Sequence, residues 1–369
     1  MEAKKNSNLP KAVAFFLIVS VLICAIAFSA SGWQGDNQNM PDSNGNVSAG
    51  DSLDENVDEN NDGGSGENVD TEPPKPLFLH YITGLEITEE ETHQKPYAVV
   101  LDTEGPLYGL SSSFLTIEIP VEDGKTRLVA FTNDATKLGK LGSIAPTRKY
   151  ISNIARYFGG VLVSTGCDDS FNYSAYELLD GHIDLNKLSG YHYSEFGLYN
   201  YTNADLISAY IKNNNVNTVM INQPSLPFDF TEEISGGASA KSVLVALDKS
   251  SITELSYSGE DGKYTLKKNG STVTDKLNEK AAKYDNVFIL YADSTTHETA
   301  DSTELILDTQ SGGSGYYIAN GSAIAISWST KDGGSMEFYT SEGDRLSVLS
   351  GTSYIAFAKS SQASSVKIS

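Results

Sequence analysis

The sequence predicts an α+β protein whose mixed N-terminal half is followed by a β-rich C-terminal half. Between residues 97 and 215, strand-like runs rich in β-branched and aromatic residues alternate with two segments of helical periodicity. After about Lys241, nearly every apolar run is short, alternates with polar residues and ends at a glycine-containing turn. The globular pattern begins only after "EPPKP", where an acidic, polar composition gives way to apolar periodicity.

The N-terminal half contains four predicted strands and two predicted helices. The strands are "YAVVLD" (97–102), "FLTIEIPV" (114–121), "RLVAFTN" (127–133) and "GVLVST" (160–165). The first helix lies in "APTRKYISNIARYFGG", where Ile151, Ile154 and Phe158 fall on one face. The second is "NADLISAYIKNNN", with Asn203 as its predicted N-cap.

The C-terminal half reads as strands and turns throughout. Its strand-like segments are "SVLVAL", "ITELSYS", "KYTLKKNG", "NVFILYAD", "TELILDT", "GYYIANGSAIAISWS", "SMEFYTSEGDRLSVLSG" and "SYIAFAKS". The segment "QPSLPFDFTEEISGGASA" joins the halves near residues 223–240. We therefore expect an N-terminal domain at 77–230 and a C-terminal domain at 240–369.

The N-terminus has the layout of an export signal. A basic stretch precedes an apolar run from Ala12 to Ala30, near the length that spans a bilayer. Three outcomes are open for residues 1–33: cleavage as a signal peptide, retention as a membrane anchor, or lipid attachment at Cys24. Residues 34–76 form a predicted disordered acidic linker. Each outcome predicts an extracytoplasmic protein, anchored to the cell membrane or secreted.

Charge and composition disfavour several classes of partner. The chain carries 26 Lys and Arg against 48 Asp and Glu, a net charge of −22. Such a surface repels phosphate backbones, so we expect no nucleic-acid partner. The five histidines show no metal-ligand spacing, and the glycine-rich "DTQSGGSGYYIANG" lacks a phosphate-loop ending. We therefore expect neither a cofactor nor a metal.

Two groups of residues are candidates for chemistry. Cys167 follows a strand, with His182 and His192 downstream as conceivable bases, but a small, partly buried residue is the simpler interpretation. The chain has few arginines, and Arg127 and Arg148 lie close together in sequence. Each either pairs internally, with Glu118 in the neighbouring strand as one candidate, or contacts an anionic ligand.

The chain resembles the YerB-type lipoprotein family of Gram-positive bacteria from residue 81 to 366. In the N-terminal half, "ITGLEI", "QKPYAVVLD", "LYGLSSSFLTIEI", "EDGKTRLVAF" and "LGSIAPTRKYI" resemble family segments in the same order. In the C-terminal half the resemblance continues through "KYTLKKNGSTVTDK", "NVFILYA", "GGSGYYIANGSAIAISWST" and "LSGTSYIAFA". The resemblance implies a three-layer β-β-α sandwich for the N-terminal domain, a β-rich C-terminal domain, and no known reaction.

The departures from the family pattern concern polar residues. The stretch "FGLYNYTN" keeps Tyr201 and Thr202 but has Leu198 and Tyr199 where the family has His-Asn, and a lipobox is missing. The resemblance thus marks as ligand-binding residues Glu118, Arg127, Arg148, Tyr199, Tyr201 and Thr202.

Three functions are consistent with the sequence. The favoured one is a non-catalytic binding or interaction protein of the cell envelope, tethered to the membrane, with an unknown envelope ligand or protein partner. The alternatives are an envelope hydrolase or transferase using Cys167 or a Glu118/Arg148 site, and a purely structural paralogue.

Overall fold

The computed structural model describes residues 77–369, except 168–175, 187–189, 196–197, 225–226, 235, 249, 299–302 and 331–333. These residues belong to one compact unit. The predicted signal segment (1–33) and acidic linker (34–76) lie outside the described residues. No helix in the described part is both long and apolar enough to cross a membrane.

The predicted elements of the N-terminal half are present. Helix α1 spans Lys149–Tyr157 and helix α2 spans Ala204–Asn214, where the Asn203 side chain accepts a hydrogen bond from the Leu206 N–H at 2.9 Å, as predicted for an N-cap. The strands are β1 (Phe78–Leu79), β2 (Glu86–Ile87), β3 (Tyr97–Asp102), β4 (Leu115–Pro120), β5 (Thr126–Thr132), β6 (Leu141–Ile144), β7 (Val161–Ser164), β8 (His182–Asp184), β9 (Tyr193–Glu195) and β10 (Tyr199–Thr202).

The C-terminal half is built from strands and turns, with one short 3-10 helix (Ser360–Ser365) near the end of its described residues. The strands are β11 (Asp229–Thr231), β12 (Ala238–Ser239), β13 (Ser242–Asp248), β14 (Ser251–Ser258), β15 (Lys263–Lys268), β16 (Ser271–Thr272), β17 (Thr274–Asp275), β18 (Lys280–Ala281), β19 (Lys283–Tyr284), β20 (Asn286–Ala292), β21 (Ser294–Glu298), β22 (Thr303–Leu307), β23 (Gly313–Ala319), β24 (Ser322–Thr330), β25 (Met336–Thr340), β26 (Ser347–Leu349), β27 (Ser353–Lys359) and β28 (Lys367–Ile368).

One large sheet contains strands from both halves of the chain. In the described residues it has 14 strands, in the order β12-β24-β23-β20-β27-β4-β5-β3-β6-β10-β9, with β25 beside β24 and β7 and β8 extending from β3. The halves meet where β27 pairs in parallel with β4, placing Ile355 opposite Ile117. The join near residues 223–240 is therefore a boundary along the sequence, but the large sheet continues through both halves.

The two faces of this sheet bury different layers. On one face, Ile151 and Ile154 of α1 pack in a core with Val129 and Ile117. On the other face, Leu128 and neighbouring residues pack against a smaller sheet of β13, β14, β15, β16, β19 and β28. The result is the predicted α+β class with a β-β-α layering, in which the outer β layer comes from the C-terminal half.

The glycine-rich segment forms β23 and the turn that leads into β24, and two of its glycines lie too close to β20 for a larger residue. A Cβ on Gly313 or Gly315 would collide with carbonyl oxygens of β20, namely those of Tyr291 and Ile289. The turn between β23 and β24 is Asn320-Gly321, both with positive φ, 47° and 75°.

Candidate functional site

Glu118 lies in the middle of β4 and faces the smaller sheet. Its side chain is 0% exposed and forms an ion pair with Lys268 of β15. Thr126 and Thr253 each donate a hydroxyl hydrogen bond to it at 2.7 Å, and the Tyr354 hydroxyl donates a third. Glu118 therefore joins the two sheets, and its carboxylate is enclosed between them.

The surroundings of Glu118 keep it ionised. Burial alone would raise the pKa of this carboxyl, but the Lys268 ammonium and the donated hydrogen bonds lower it below its usual value. Lys268 is held from its other side by Ser251, at 2.6 Å between Nζ and Oγ. Both the Glu118 carboxylate and the Lys268 ammonium therefore have further hydrogen-bond partners, as a buried charge pair requires.

Arg127 pairs with Asp102, and the suggested pairing with Glu118 is wrong. The Arg127 Nη1 atom lies 3.2 Å from Asp102 Oδ1, directly across the β3–β5 ladder. On the other side, Arg127 is opposite Ile119, whereas Glu118 is opposite Leu128. Because side chains alternate between faces along a strand, Arg127 and Glu118 project to opposite sides of the sheet.

Arg148 is the residue that precedes the first turn of α1, and its guanidinium binds Glu122 in a forked geometry. The Nε–Oε1 distance is 3.0 Å and the Nη2–Oε2 distance is 2.8 Å. Burial alone would lower the pKa of Arg148, but the Glu122 carboxylate raises it above its ordinary value. Glu122 also accepts a hydrogen bond from the Leu305 N–H at 3.3 Å, so this ion pair attaches β22 to the helix start. The suggested Glu118/Arg148 site is therefore not assembled.

The aromatic stretch lies partly in the interior. Tyr201 is 2% exposed and packs edge-on against Tyr108, with the Lys140 ammonium 4.1 Å from its ring centre. Thr202 is fully buried and donates its hydroxyl hydrogen bond to a backbone carbonyl at 2.8 Å. Tyr199 is partly exposed and donates to the Glu104 carbonyl at 3.1 Å.

The six predicted ligand-binding residues thus do not line one concave surface. Glu118, Tyr201 and Thr202 are buried, whereas Arg127, Arg148 and Tyr199 are partly exposed. A role in binding stays a prediction for all six residues.

Cys167 lies next to Arg148, because both side chains donate to the same carbonyl group. The thiol sulfur is 3.6 Å from the Thr147 oxygen, and the Arg148 Nη1 atom is 2.8 Å from it. A neighbouring cation favours a thiolate, but the guanidinium here is already neutralised by Glu122. The arrangement therefore gives Cys167 little activation.

In the described part of the chain, neither of the two histidines suggested as bases is shown in contact with Cys167. His182 is level with Leu162, near the start of β7, whereas Cys167 follows the end of that strand. His192 is engaged elsewhere, with Nδ1 2.7 Å from the Leu185 carbonyl oxygen.

A cleft that the sequence did not predict opens between α1 and β22. It has a volume of about 480 Å³ and is lined by Lys149, Tyr150, Asn153, Glu304 and residues 306–311. Asn153 lines this cleft from α1 and is 7% exposed. A possible signal was present in the sequence, since Asn153 is a polar residue between the two isoleucines of the buried helix face.

The fold and this site together define a class: strand-dominated α+β proteins whose two segments share one sheet, with a polar cleft beside the first helix. The N-terminal and C-terminal models of one family match residues 82–218 and 243–355. The chain belongs to that family, described as "Protein of unknown function (DUF3048)", which confirms the predicted resemblance.

One relative links the family to the resemblance seen in the sequence. The chain is 24% identical over 265 residues to "Putative lipoprotein YerB" of Bacillus subtilis (strain 168), covering 68% of this chain and 78% of that protein. The crystal structure of the YerB protein from Bacillus subtilis superposes with a TM-score of 0.68 at 20% identity, covering 79% of this chain and 99% of that one. At this identity the likeness is one of fold.

Proposed function

We propose that this chain is a membrane-tethered, extracytoplasmic protein of the cell envelope that binds a ligand or partner and catalyses no reaction. The observation that carries the proposal is the cleft between α1 and β22, a concave site of ligand size lined by both polar and apolar side chains. The conspicuous charges nearby, Arg127 and Arg148, are neutralised by Asp102 and Glu122. Such a site suits recognition better than bond cleavage.

Tethering is supported by the sequence and by the relative. Residues 12–30 form an apolar run behind a basic stretch, and the relative's name describes a lipoprotein. The acidic, polar composition of residues 34–76 is typical of a linker between a membrane segment and a folded domain.

The test is cosedimentation of the fragment Glu72–Ser369, which contains both hydrophobic cores, with separate envelope components. Purified Gram-positive cell-wall sacculi and vesicles of anionic phospholipid are the two probes. Ile306, 44% exposed at the cleft, is replaced by tryptophan to fill it, and Ile252, 41% exposed on β14, is replaced in the same way as the matched control.

We expect at least one component to retain the fragment, and Ile306→Trp to reduce retention while Ile252→Trp does not. Retention of neither component, or equal effects of the two variants, would overturn the proposal.

A second candidate function keeps Cys167 as a nucleophile for an envelope hydrolase or transferase. The observation in its favour is the shared Thr147 carbonyl that places the thiol beside the Arg148 guanidinium. It requires rapid, selective alkylation of Cys167 at neutral pH, and slow alkylation would exclude it.

A further inference from the structure

A second pocket lies at the C-terminal end of α1 and shares no lining residue with the cleft between α1 and β22. It has a volume of about 280 Å³. Its walls include Arg156 near the end of α1, residues 178–180 before β8, and residues 219–222 after α2. The pocket therefore combines segments that are separate along the chain.

Arg156 is the arginine that has no carboxylate partner among the described residues. The chain has four arginines, and the other three pair with Asp102, Glu122 and Asp229. The Nε atom of Arg156 is buried and also lacks a hydrogen-bond partner in the described part of the chain. This guanidinium is therefore available to an anion from outside the chain.

The fold holds the Arg156 guanidinium in position. Its Cζ atom lies 5.0 Å from the centre of the Tyr157 ring, in a cation–π contact, and its Nε atom is enclosed. The residue itself is partly exposed and lines the pocket, so a ligand meets its terminal nitrogens rather than Nε. A guanidinium that is already fixed loses little freedom on binding, and its planar fork matches a carboxylate.

The ionisable residues that line the pocket carry one net positive charge. Lys95 and Asp180 form an ion pair with 2.7 Å between Nζ and Oδ2, and the Lys95 ammonium also donates to the Asp180 carbonyl at 2.6 Å. These two charges cancel, so Arg156 sets the charge of the pocket. A single positive charge complements a monoanion, whereas a phosphate dianion would retain a negative charge beside a protein whose net charge is −22.

Three aliphatic side chains in the pocket lining are exposed. Leu178 is 57% exposed, Val219 59% and Ile221 84%. The backbone between the last two is held in place, because the Met220 N–H donates to the His93 carbonyl at 2.8 Å. Large aliphatic residues grouped around one pocket indicate a surface that an apolar group covers.

We propose that this pocket binds an aliphatic monocarboxylate, the chemistry shared by a peptide that ends in a branched aliphatic residue and by a short fatty acid. The terminal nitrogens of Arg156 would donate to the carboxylate oxygens, and the alkyl group would pack on Leu178, Val219 and Ile221. The small volume suits a short alkyl group. This site goes beyond the proposed function, which depends on the other cleft.

The test measures binding of small probes to the Glu72–Ser369 fragment by ligand-detected NMR at pH 7. One arm compares N-acetyl-L-leucine with its neutral amide, and the other compares hexanoate with hexanamide. We expect at least one carboxylate to bind about tenfold more tightly than its amide, because only the carboxylate forms charge-assisted hydrogen bonds. The arm that responds distinguishes a peptide end from a fatty acid. Acetate, which lacks the longer alkyl group, should bind about tenfold more weakly than the carboxylate that responds.

Three arginine variants test the charge. Arg156→Met should weaken binding of the carboxylate about tenfold and remove its advantage over the amide. Arg156→Lys keeps the charge but not the planar fork, so it should lose less than Arg156→Met. Arg345→Met is the matched control, because it changes the net charge equally at a residue outside this pocket, and it should leave binding unchanged.

A second pair of variants tests the apolar surface. Ile221→Asn should weaken binding of the longer carboxylate several-fold and leave acetate binding unchanged, because it removes only the alkyl contact. Ile221 is 84% exposed, so its replacement does not open the core. Leu85→Asn, at an exposed leucine outside the pocket lining, should have no effect on either probe.

Binding of neither carboxylate, equal binding of each carboxylate and its amide, or equal effects of Arg156→Met and Arg345→Met would overturn the inference. The cosedimentation experiment uses other probes and Ile306→Trp at the other cleft. Failure of the carboxylate site is therefore distinguishable from failure of the proposed function.

Discussion

Replacing Glu118 with Gln tests whether its ion pair holds the two sheets together. The substitution preserves shape but removes the charge, leaving the Lys268 ammonium, whose side chain is 14% exposed, without its counterion. Removing one partner of a buried pair costs about 3–5 kcal/mol, and the remaining exposure of Lys268 places the expected loss near 3 kcal/mol. For a fragment of this size, that loss lowers Tm by roughly 6 °C.

The assay is urea denaturation of Glu72–Ser369 followed by tryptophan fluorescence. Trp328, 2% exposed, is the single tryptophan in this fragment, because the other tryptophan of the chain, Trp33, lies before residue 72. The matched control is Glu254→Gln, which removes a carboxylate 3.7 Å from Lys267 in a pair about one third exposed. That surface change should cost about 0.5 kcal/mol or less.

The loss of stability caused by Glu118→Gln should depend on pH. The pKa of Glu118 is lowered in the folded protein, so its stabilisation is complete above the unfolded value of about 4.3 and is lost as pH falls through the folded value. The stability difference between wild type and Glu118→Gln should therefore be constant from pH 7 to 5 and shrink in stronger acid. A loss no larger than that of Glu254→Gln, or a difference that grows in acid, would refute the reasoning.

Four further predictions follow from the described contacts and the sequence. Burial lowers the pKa of His80 to about 4, so stability should fall between pH 6.5 and 4 by roughly 3 kcal/mol, and His80→Gln should remove that dependence in pH-resolved urea titrations. Arg148→Lys loses the forked bond and should destabilise by about 1–2 kcal/mol, against about 0.5 kcal/mol for Arg345→Lys at its more exposed ion pair; equal losses would contradict this. Cys167 should react with iodoacetamide no faster than a free thiol at pH 7, as measured by mass spectrometry, whereas rapid reaction would favour the enzymatic alternative. Deleting residues 1–33 should shift the protein from the membrane to the soluble fraction of cell lysates, and continued sedimentation with membranes would contradict the tethering proposal.

The sequence determined the local elements of the fold, because those depend on neighbouring residues. The run "YAVVLD" is β3, the predicted cap at Asn203 caps α2, and the order of family-like segments led to the correct family. Each of these is encoded by periodicity or by a short ordered pattern, which needs no knowledge of distant contacts.

The partners of the charged residues were decided only by the tertiary structure. Arg127 was correctly placed on a strand, but the register of two ladders gave it Asp102 and turned Glu118 to the opposite face. The counterion of Glu118 comes from Lys268, 150 residues away along the chain, through packing of the second sheet. Strand register and sheet packing depend on the whole chain, so no local pattern determines them.

The cleft, too, could not be predicted from local sequence patterns. Asn153 and Thr309 lie in opposite halves of the chain, and both line the cleft because the two halves pack into one unit. The sequence by itself determined that this protein is an α+β member of its family with an apolar, basic-flanked N-terminus. Its tertiary structure alone decided where a ligand could bind, because a cleft consists of the spaces between segments that are distant along the chain.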